Sequence, residues 1–238
     1  HAVQAIFKHR ADAIIRAYVT KERMKSLGDI LKWCANHKKA YHIVTREELD
    51  KIAEGIHHED VCLLIKDNRR HQFKDWLKKN QSRLPKKIMG LYLDGVGNPH
   101  NLGALLRVSA HFGIPYIFGT KKSLPKLSPS AFRIAEGGSE FVELIEVESP
   151  PEFFKTLKNL GFEIVATSSH VKKPLYKHKF KDRTLVMLGA EVEGISKVLL
   201  EKAPDVTLAI PGTDNVESLN VAVAGGIIFS EFYRQTNQ

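Results

Sequence analysis

The sequence predicts an α/β fold: a mostly parallel sheet with helices on both faces, preceded by a smaller α/β domain. From residue 88 onward, short β-rich runs alternate with helical patterns, which is typical of parallel sheets covered on both faces. A length of 238 residues and a hydrophobic content of 43% allow a substantial core. Three separated blocks of small and polar residues each fall where a strand gives way to a helix, the place where open α/β sheets bind their ligands.

The first 66 residues predict a small module. Its elements in chain order are a helix over 2–8, a strand over 13–19, a helix, a strand over 41–44, a short helix and a strand over 61–66. The second helix is indicated by apolar residues at helical spacing, namely Met24, Leu27, Leu31 and Cys34. Thr45 and Glu48, just ahead of Leu49, predict a capping box at the start of the short helix.

The stretch 67–87 differs in composition from both of its neighbours. It contains only two acidic residues, Asp67 and Asp75. Its eight basic residues are Arg69, Arg70, Lys74, Lys78, Lys79, Arg83, Lys86 and Lys87. A run of this kind is either a solvated linker or a surface that grips phosphates. Phe73, Trp76 and Leu77 indicate that part of it is a short helix lying on a domain.

The rest of the chain predicts the larger sheet. Its β-rich runs cover 91–93, 116–118, 141–147, 163–166, 185–188 and 206–210. Helical patterns between them include 101–112 and 149–160, and Ser149 followed by Pro150 is a typical helix start. A long apolar helix follows Asn220, and we interpret it as core or dimer surface.

Charge and cysteine content restrict the class of protein. Lys+Arg 36 against Asp+Glu 27 gives a net charge of +9, which favours an anionic partner such as nucleic acid. Only Cys34 and Cys62 are present, so we expect no disulfide framework and a cytoplasmic location. No apolar run approaches the ~20 residues of a membrane span, so we expect no membrane association.

Common nucleotide and metal motifs are incomplete in this sequence. Gly95 and Gly97 would begin a dinucleotide-binding fingerprint, but His100 stands where the third glycine is required. A Walker-type phosphate loop, His-Glu-x-x-His and Cys-x-x-Cys are all missing. His57 and His58 are adjacent and point in different directions on most backbones. We therefore expect no metal.

The three blocks together resemble the SpoU branch of the SPOUT superfamily, the S-adenosylmethionine-dependent RNA ribose 2′-O-methyltransferases. The blocks are 98–107 (NPHNLGALLR), 188–196 (LGAEVEGIS) and 210–220 (IPGTDNVESLN). The resemblance implies a catalytic domain with a C-terminal trefoil knot over 88–238. It also implies a small RNA substrate-binding domain over 1–72, similar to RNA-binding ribosomal proteins, and leaves 73–87 as a basic linker.

The resemblance also assigns roles to individual residues. It implies five catalytic residues: Asn101, Arg107, Glu191, Ser218 and Asn220. It implies a wall for S-adenosylmethionine made by Thr167, Leu188, Gly189, Gly194, Ile210, Pro211 and Leu219. By itself, the first block also allows a plainer interpretation, in which Asn101 caps a helix and Arg107 is a surface cation.

The chemistry of the guanidinium group narrows the expected role of Arg107. If Asn101 opens a helix, the free N–H groups there suit an RNA phosphate, and Arg107 can add a bidentate contact. A guanidinium stays protonated at neutral pH and is a poor proton acceptor. We therefore expect Arg107 to orient the ribose and stabilise the developing alkoxide, while Glu191, Ser218 and Asn220 hold Arg107 and the ribose in place.

The resemblance thus predicts transfer of a methyl group to a ribose 2′-OH of rRNA or tRNA by a homodimer that associates through its catalytic domain. Two alternatives stay open. One is an RNA-binding or assembly factor that keeps the fold without turnover. The other is methylation of a base, which fits the Ser-Leu-Asn sequence of the third block less well. The sequence does not choose between rRNA and tRNA, because RNA is recognised largely through its shape and unpaired bases.

Overall fold

The computed structural model describes residues 1–66, 70–191, 193–213 and 215–237. The chain divides into two compact units, residues 1–68 and 69–238. Asp67 and Arg69 of the basic stretch lie outside the described residues. Within the described part, no helix has both the length and the apolar character needed to cross a membrane.

The small unit is a three-stranded sheet with helices. Its elements are α1 (Ala2–Arg10), β1 (Ile14–Val19), α2 (Gly28–Asn36), β2 (Ala40–Ile43), α3 (Arg46–Ile52) and β3 (Val61–Ile65). β1 lies in the centre, parallel to β2 and antiparallel to β3. The predicted capping box is confirmed, since Thr45 Oγ1 accepts from the Glu48 amide at 3.2 Å and the Thr45 amide donates to Glu48 Oε2 at 2.8 Å.

The large unit contains a seven-stranded sheet in which every strand pair is parallel, as predicted. Its elements are β4 (Arg70–Gln72), α4 (Phe73–Asn80), β5 (Ile88–Asp94), α5 (Pro99–Phe112), β6 (Tyr116–Gly119), α6 (Pro129–Ala135), β7 (Glu143–Glu146), α7 (Pro150–Asn159), β8 (Glu163–Thr167), β9 (Arg183–Gly189), α8 (Lys197–Lys202), β10 (Val206–Leu208) and α9 (Val221–Thr236). The strand order is β10-β8-β9-β5-β6-β7-β4.

Both faces of this sheet are buried, which explains its near-continuous apolar strands. On β5, Leu91 and Leu93 face a core shared with α5 and α9. Tyr92 faces the opposite core, which includes Phe153 of α7 and Trp76 of α4. Successive residues of a strand point to opposite faces, so one strand supplies both cores.

Part of the basic stretch expected to be a linker is folded in the structure. Residues 70–80 form β4 and α4 and belong to the larger unit: β4 pairs with β7 at the sheet edge, and Trp76 is 1% exposed. The aromatic side chains did indicate a short helix lying on a domain. The basic side chains hid its extent, because lysines on the outer face of an amphipathic helix look like a solvated run.

One helix start and one helix cap also differ from expectation. α5 begins at Pro99 with Asn98 as its cap, since Asn98 Oδ1 accepts from the His100 amide at 2.9 Å. Asn101 is therefore not a cap, and its side chain is available for other contacts. α7 begins at Pro150 as predicted, but Ser149 makes no side-chain capping bond.

Candidate functional site

The register of the central strands brings the first two sequence blocks together. β5 and β9 pair in parallel along their whole length, so that Asp94 lies opposite Gly189. The first block follows β5 and the second follows β9, so both emerge at the same edge of the sheet. This edge carries the carboxyl ends of the strands, where α/β sheets bind ligands.

The second block is a tightly folded loop. Ala190 and Gly194 exchange backbone hydrogen bonds of 3.1 and 2.9 Å across it. A Cβ on Gly189 would overlap the backbone of Gly194, so only glycine fits there. The loop is also tied to β5, because Asp94 Oδ2 accepts from the Ser196 amide at 2.8 Å. These constraints fix the backbone that carries Glu191.

Three side chains, one from each block, meet at this edge and form what we call the amide–acid cluster: Asn101, Glu191 and Asn220. Glu191 Oε1 accepts from Asn101 Nδ2 at 2.9 Å and from Asn220 Nδ2 at 2.7 Å. Asn220 Nδ2 also donates to Asn101 Oδ1 at 3.1 Å. The residues are separated by up to 119 positions in the chain.

The orientation of Asn220 is fixed by a second task. Its Oδ1 caps α9, accepting from the Ala222 amide at 2.9 Å and the Val223 amide at 3.4 Å. Its NH₂ group must then point away from the helix, toward Glu191. Hydrogen bonds to an ionised carboxylate are stronger than neutral ones, so the cap and the acid hold one another in place. Within the described residues, Glu191 Oε2 has no hydrogen-bond donor.

A cavity of about 320 Å³ opens beside the amide–acid cluster. Asn101 and Glu191 line it, together with the glycine-containing turn 95–98, Ala190, Glu193 and Val221. The turn is held by Ser123, whose Oγ accepts from the Gly95 amide at 2.9 Å. Polar residues from the first two blocks thus line a cavity large enough for a small polar group.

Arg107 lies apart from the amide–acid cluster. Six positions along α5 place it about 120° around the helix from Asn101 and about 9 Å along the axis. Its guanidinium pairs with Glu136 Oε2 at 3.0 Å, and both side chains are largely exposed, at 56% and 43%. The pair depends on close packing: a Cβ on Gly138 would lie 2.9 Å from Arg107 Cα, so glycine lets this loop reach α5.

The residues expected to hold a cofactor follow three adjacent strands. Thr167, Gly189 and Leu208 end β8, β9 and β10, which are neighbours in the sheet. Leu219 is exposed and Ile210 is half-buried, and both follow β10. Pro211, Gly194 and Ser218 are exposed in the surrounding loops.

Two of the expected cofactor residues have other tasks. Leu188 is 2% exposed and packs in the core beneath α9, so only its backbone can contact a ligand. Thr167 Oγ1 donates to the Met187 carbonyl at 3.0 Å. The other expected residues offer apolar side chains and backbone polar groups. Such a surface fits a neutral aromatic base and its sugar.

Sequence reasoning missed Asp94 and Ser123, which fix the two loops. A polar residue directly after an apolar strand could have drawn attention to Asp94, whereas nothing local identifies Ser123. Among the described residues, no group of three or more His, Cys, Asp or Glu side chains could hold a metal ion.

Comparison with known proteins gives the family. Residues 89–230 match the SpoU rRNA Methylase family, and residues 1–71 match the domain described as RNA 2′-O ribose methyltransferase substrate binding. The chain belongs to the SpoU rRNA methylase family. The SpoU match includes all three blocks and therefore the whole amide–acid cluster.

Individual relatives of this SpoU protein cover nearly all of its chain. It is 34% identical to "Uncharacterized tRNA/rRNA methyltransferase YfiF" of Escherichia coli O157:H7, over 99% of this chain and 66% of that protein. It therefore spans slightly less than two thirds of that relative's length. It is 31% identical to "23S rRNA (guanosine-2′-O-)-methyltransferase RlmB" of Escherichia coli K12, over 99% of this chain and 96% of that protein.

A solved structure supports the fold of this SpoU protein. The SpoU methyltransferase AviRb from Streptomyces viridochromogenes, in complex with AdoMet, superimposes with a TM-score of 0.81 over 98% of this chain and 87% of that one. At 18% sequence identity, the likeness concerns the fold.

Proposed function

We propose that this protein is an S-adenosylmethionine-dependent RNA methyltransferase that transfers a methyl group to a ribose 2′-OH of rRNA or tRNA. The amide–acid cluster carries the proposal, because it unites side chains from all three blocks beside a cavity at the ligand-binding edge of the sheet. The relative RlmB bears the name of a 23S rRNA guanosine-2′-O-methyltransferase, which supports the ribose as acceptor.

We assign Glu191 to the 2′-hydroxyl as its general base: Oε2 would accept the hydroxyl proton while the oxygen forms its bond to the methyl group. Its Oε1 is occupied by two amide donors, whereas Oε2 is available for an O–H donor. Asn101 and Asn220 keep the carboxylate from rotating, so that Oε2 points in one direction. Ser218 precedes the cap by two residues and lies in the same exposed loop, from which it can hold the ribose.

Arg107 is assigned to the RNA backbone and to the alkoxide that forms as the 2′-hydroxyl loses its proton. Its exposed guanidinium has donors beyond the one on Glu136, and a guanidinium can bind a phosphate in bidentate fashion. Reaching the acceptor ribose requires Arg107 to leave Glu136 or to act across a subunit boundary.

The cofactor is assigned to the ends of β8, β9 and β10. Ile210 and Leu219 would cover an aromatic base, while the backbone at Gly189, Gly194 and Pro211 would contact polar groups. When bound, S-adenosylmethionine supplies the electrophilic methyl group. The residues then have to position the hydroxyl in line with it, and positioning of this kind accounts for much of the acceleration in such reactions.

The proposal extends to the assembly. The family resemblance implies a C-terminal trefoil knot and a homodimer through the catalytic domain. In support of a dimer, α9 exposes Val223 and Tyr233, at 52% and 50%, and Phe112 of α5 packs beside Tyr233.

Cys34 and Cys62 are free thiols, in keeping with a cytoplasmic location.

Two measurements test the proposed function. The first is calorimetric titration of S-adenosylmethionine into the wild type and into Gly189→Ala, whose added Cβ has no room. We expect binding by the wild type alone.

The second measurement uses radiolabelled cofactor with rRNA and tRNA transcripts, followed by digestion to nucleosides. Label in a 2′-O-methylnucleoside is expected. Label on a base would contradict the choice of acceptor, and cofactor binding without transfer would favour a catalytically silent RNA-binding factor.

A further inference from the structure

Between β8 and β9 the chain passes through a lysine-rich stretch, residues 168–181, which we call the basic segment. It contains five lysines and no acidic residue. All five lysines are exposed: Lys172, Lys173, Lys177, Lys179 and Lys181. Tyr176, in their midst, is 56% exposed. Neither the three sequence blocks nor the basic stretch 67–87 includes these residues.

The lysines of the basic segment differ from three lysines elsewhere in the large unit that have an acidic partner. Lys74, Lys79 and Lys158 pair with carboxylates at 3.0, 3.9 and 2.8 Å. Within the described part of the chain, the five lysines of the basic segment form no such pair. With no carboxylate paired to these lysines, an anion bound across several of them would gain an attraction from each.

The backbone of the basic segment is firmly held. The Leu175 amide donates to the Ala209 carbonyl, and the Ala209 amide donates to the Lys173 carbonyl, both at 2.8 Å. Leu175 is 1% exposed. Farther along, Gln235 Nε2 donates to the His178 carbonyl at 2.9 Å. Because the backbone is already ordered, a ligand would have to immobilise only the side chains.

The position of the basic segment relates it to the expected cofactor wall. The segment begins directly after Thr167, at the carboxyl end of β8, and its contacts with Ala209 place it next to Ile210. An extended anion lying along it would approach the ligand-binding edge of the sheet. The exposed tyrosine adds a flat apolar surface of the kind on which unpaired bases stack.

We propose that the basic segment binds a single-stranded stretch of RNA beside the acceptor nucleotide, with Lys172, Lys173 and Lys177 contacting phosphates and Tyr176 stacking on a base. This inference rests on the proposed function for its RNA partner. It assigns part of the RNA affinity to the catalytic unit itself, separately from the small substrate-binding domain.

The test measures binding of a fluorescein-labelled oligouridylate to the full chain by anisotropy over a range of NaCl concentrations. The triple variant Lys172→Gln, Lys173→Gln, Lys177→Gln should reduce the magnitude of the salt slope by about 2, because each lost phosphate contact on a single strand removes about 0.7. Tyr176→Ala should weaken binding about fivefold to 150-fold with the slope unchanged, as expected for one lost stack.

Matched controls separate charge and stacking from folding. The triple Lys→Arg variant and Tyr176→Phe should bind RNA like the wild type, and every variant should bind S-adenosylmethionine normally. Unchanged affinity and slope in the triple Gln variant would overturn the inference, and so would failure of the wild type to bind the oligouridylate. Wild-type binding that depends on the segment, without methyl transfer to rRNA or tRNA transcripts, would instead contradict the proposed function and leave the inference standing.

Discussion

The amide–acid cluster and the Arg107–Glu136 ion pair involve the two ends of one short motif, 101–107, and they differ in how far a single chain completes them. Asn101 is held by hydrogen bonds of 2.9 Å to Glu191 and 3.1 Å from Asn220, and a third bond of 2.7 Å joins Asn220 to Glu191. Arg107 has an exposed partner on a neighbouring loop. The cluster is therefore preorganised, whereas Arg107 still has to move or meet another molecule.

This difference suggests a division of labour. A preorganised acid loses little free energy to reorganisation during the reaction. An exposed arginine in a surface ion pair can exchange its partner for an RNA phosphate. If this division is correct, variants of the cluster should affect the chemical step, and variants around Arg107 should affect events that require RNA.

The largest effect is expected for Glu191→Gln. Glutamine can still accept from both amides through its oxygen, so the fold should be kept, but the carboxylate available to the 2′-hydroxyl is lost. We expect kcat to fall about 10²- to 10⁴-fold, as for the loss of a general base, with cofactor affinity unchanged. Single-turnover methyl transfer measures this. Glu201→Gln, an exposed acid on α8, is the matched control, and wild-type rates for Glu191→Gln would remove the acid from the chemistry.

The next largest effect is expected for Arg107→Ala. Loss of a group that stabilises developing negative charge typically costs about 10²- to 10³-fold in kcat, and calorimetric binding of S-adenosylmethionine should be unaffected. Arg107→Lys should recover only part of the rate, because an ammonium lacks the bidentate fork. Equal losses of cofactor affinity and turnover would contradict the proposed separation between Arg107 and the cofactor site.

Much of this arrangement could be predicted from sequence because it depends on local patterns. The run after β5 and the run after β9 both follow apolar strands, and parallel strands bring such ends together. The separation of Arg107 from the cluster could not be predicted, since it depends on Glu136, a residue 29 positions away whose φ of +45° is unusual for a side chain with a Cβ. The sequence also allowed Asn101 as the cap of α5, because Asn98 and Asn101 are the same residue type three positions apart. In the structure the cap is Asn98, and Pro99 occupies the first helical position, which proline favours.

A smaller effect is expected at Asn220, which caps α9 and also donates to Glu191. Asn220→Ala removes both functions and should lower the free energy of unfolding by about 1 kcal/mol. Asn220→Asp keeps an oxygen for the cap but removes the donor and adds a negative charge beside Glu191. We expect near-wild-type thermal stability for Asp, with kcat/KM reduced about 10- to 150-fold in both variants, the size of one charge-assisted hydrogen bond. Full activity in Asn220→Asp would show that the cap alone matters.

The smallest effect is expected at Glu136. Whether its variants lower KM for RNA or lower kcat tells what the ion pair with Arg107 does. Glu136→Ala removes an exposed ion pair, so the free energy of unfolding should change by at most about 1 kcal/mol. Glu136→Gly removes the same pair and also suits the left-handed backbone at this position, so it should be the more stable of the two variants. If the pair holds Arg107 away from RNA, both variants should lower KM for RNA by up to about fivefold and leave kcat unchanged. A fall in kcat shared by both would mean that Glu136 orients Arg107 for the reaction, and the ion pair would then belong with the preorganised part of the site.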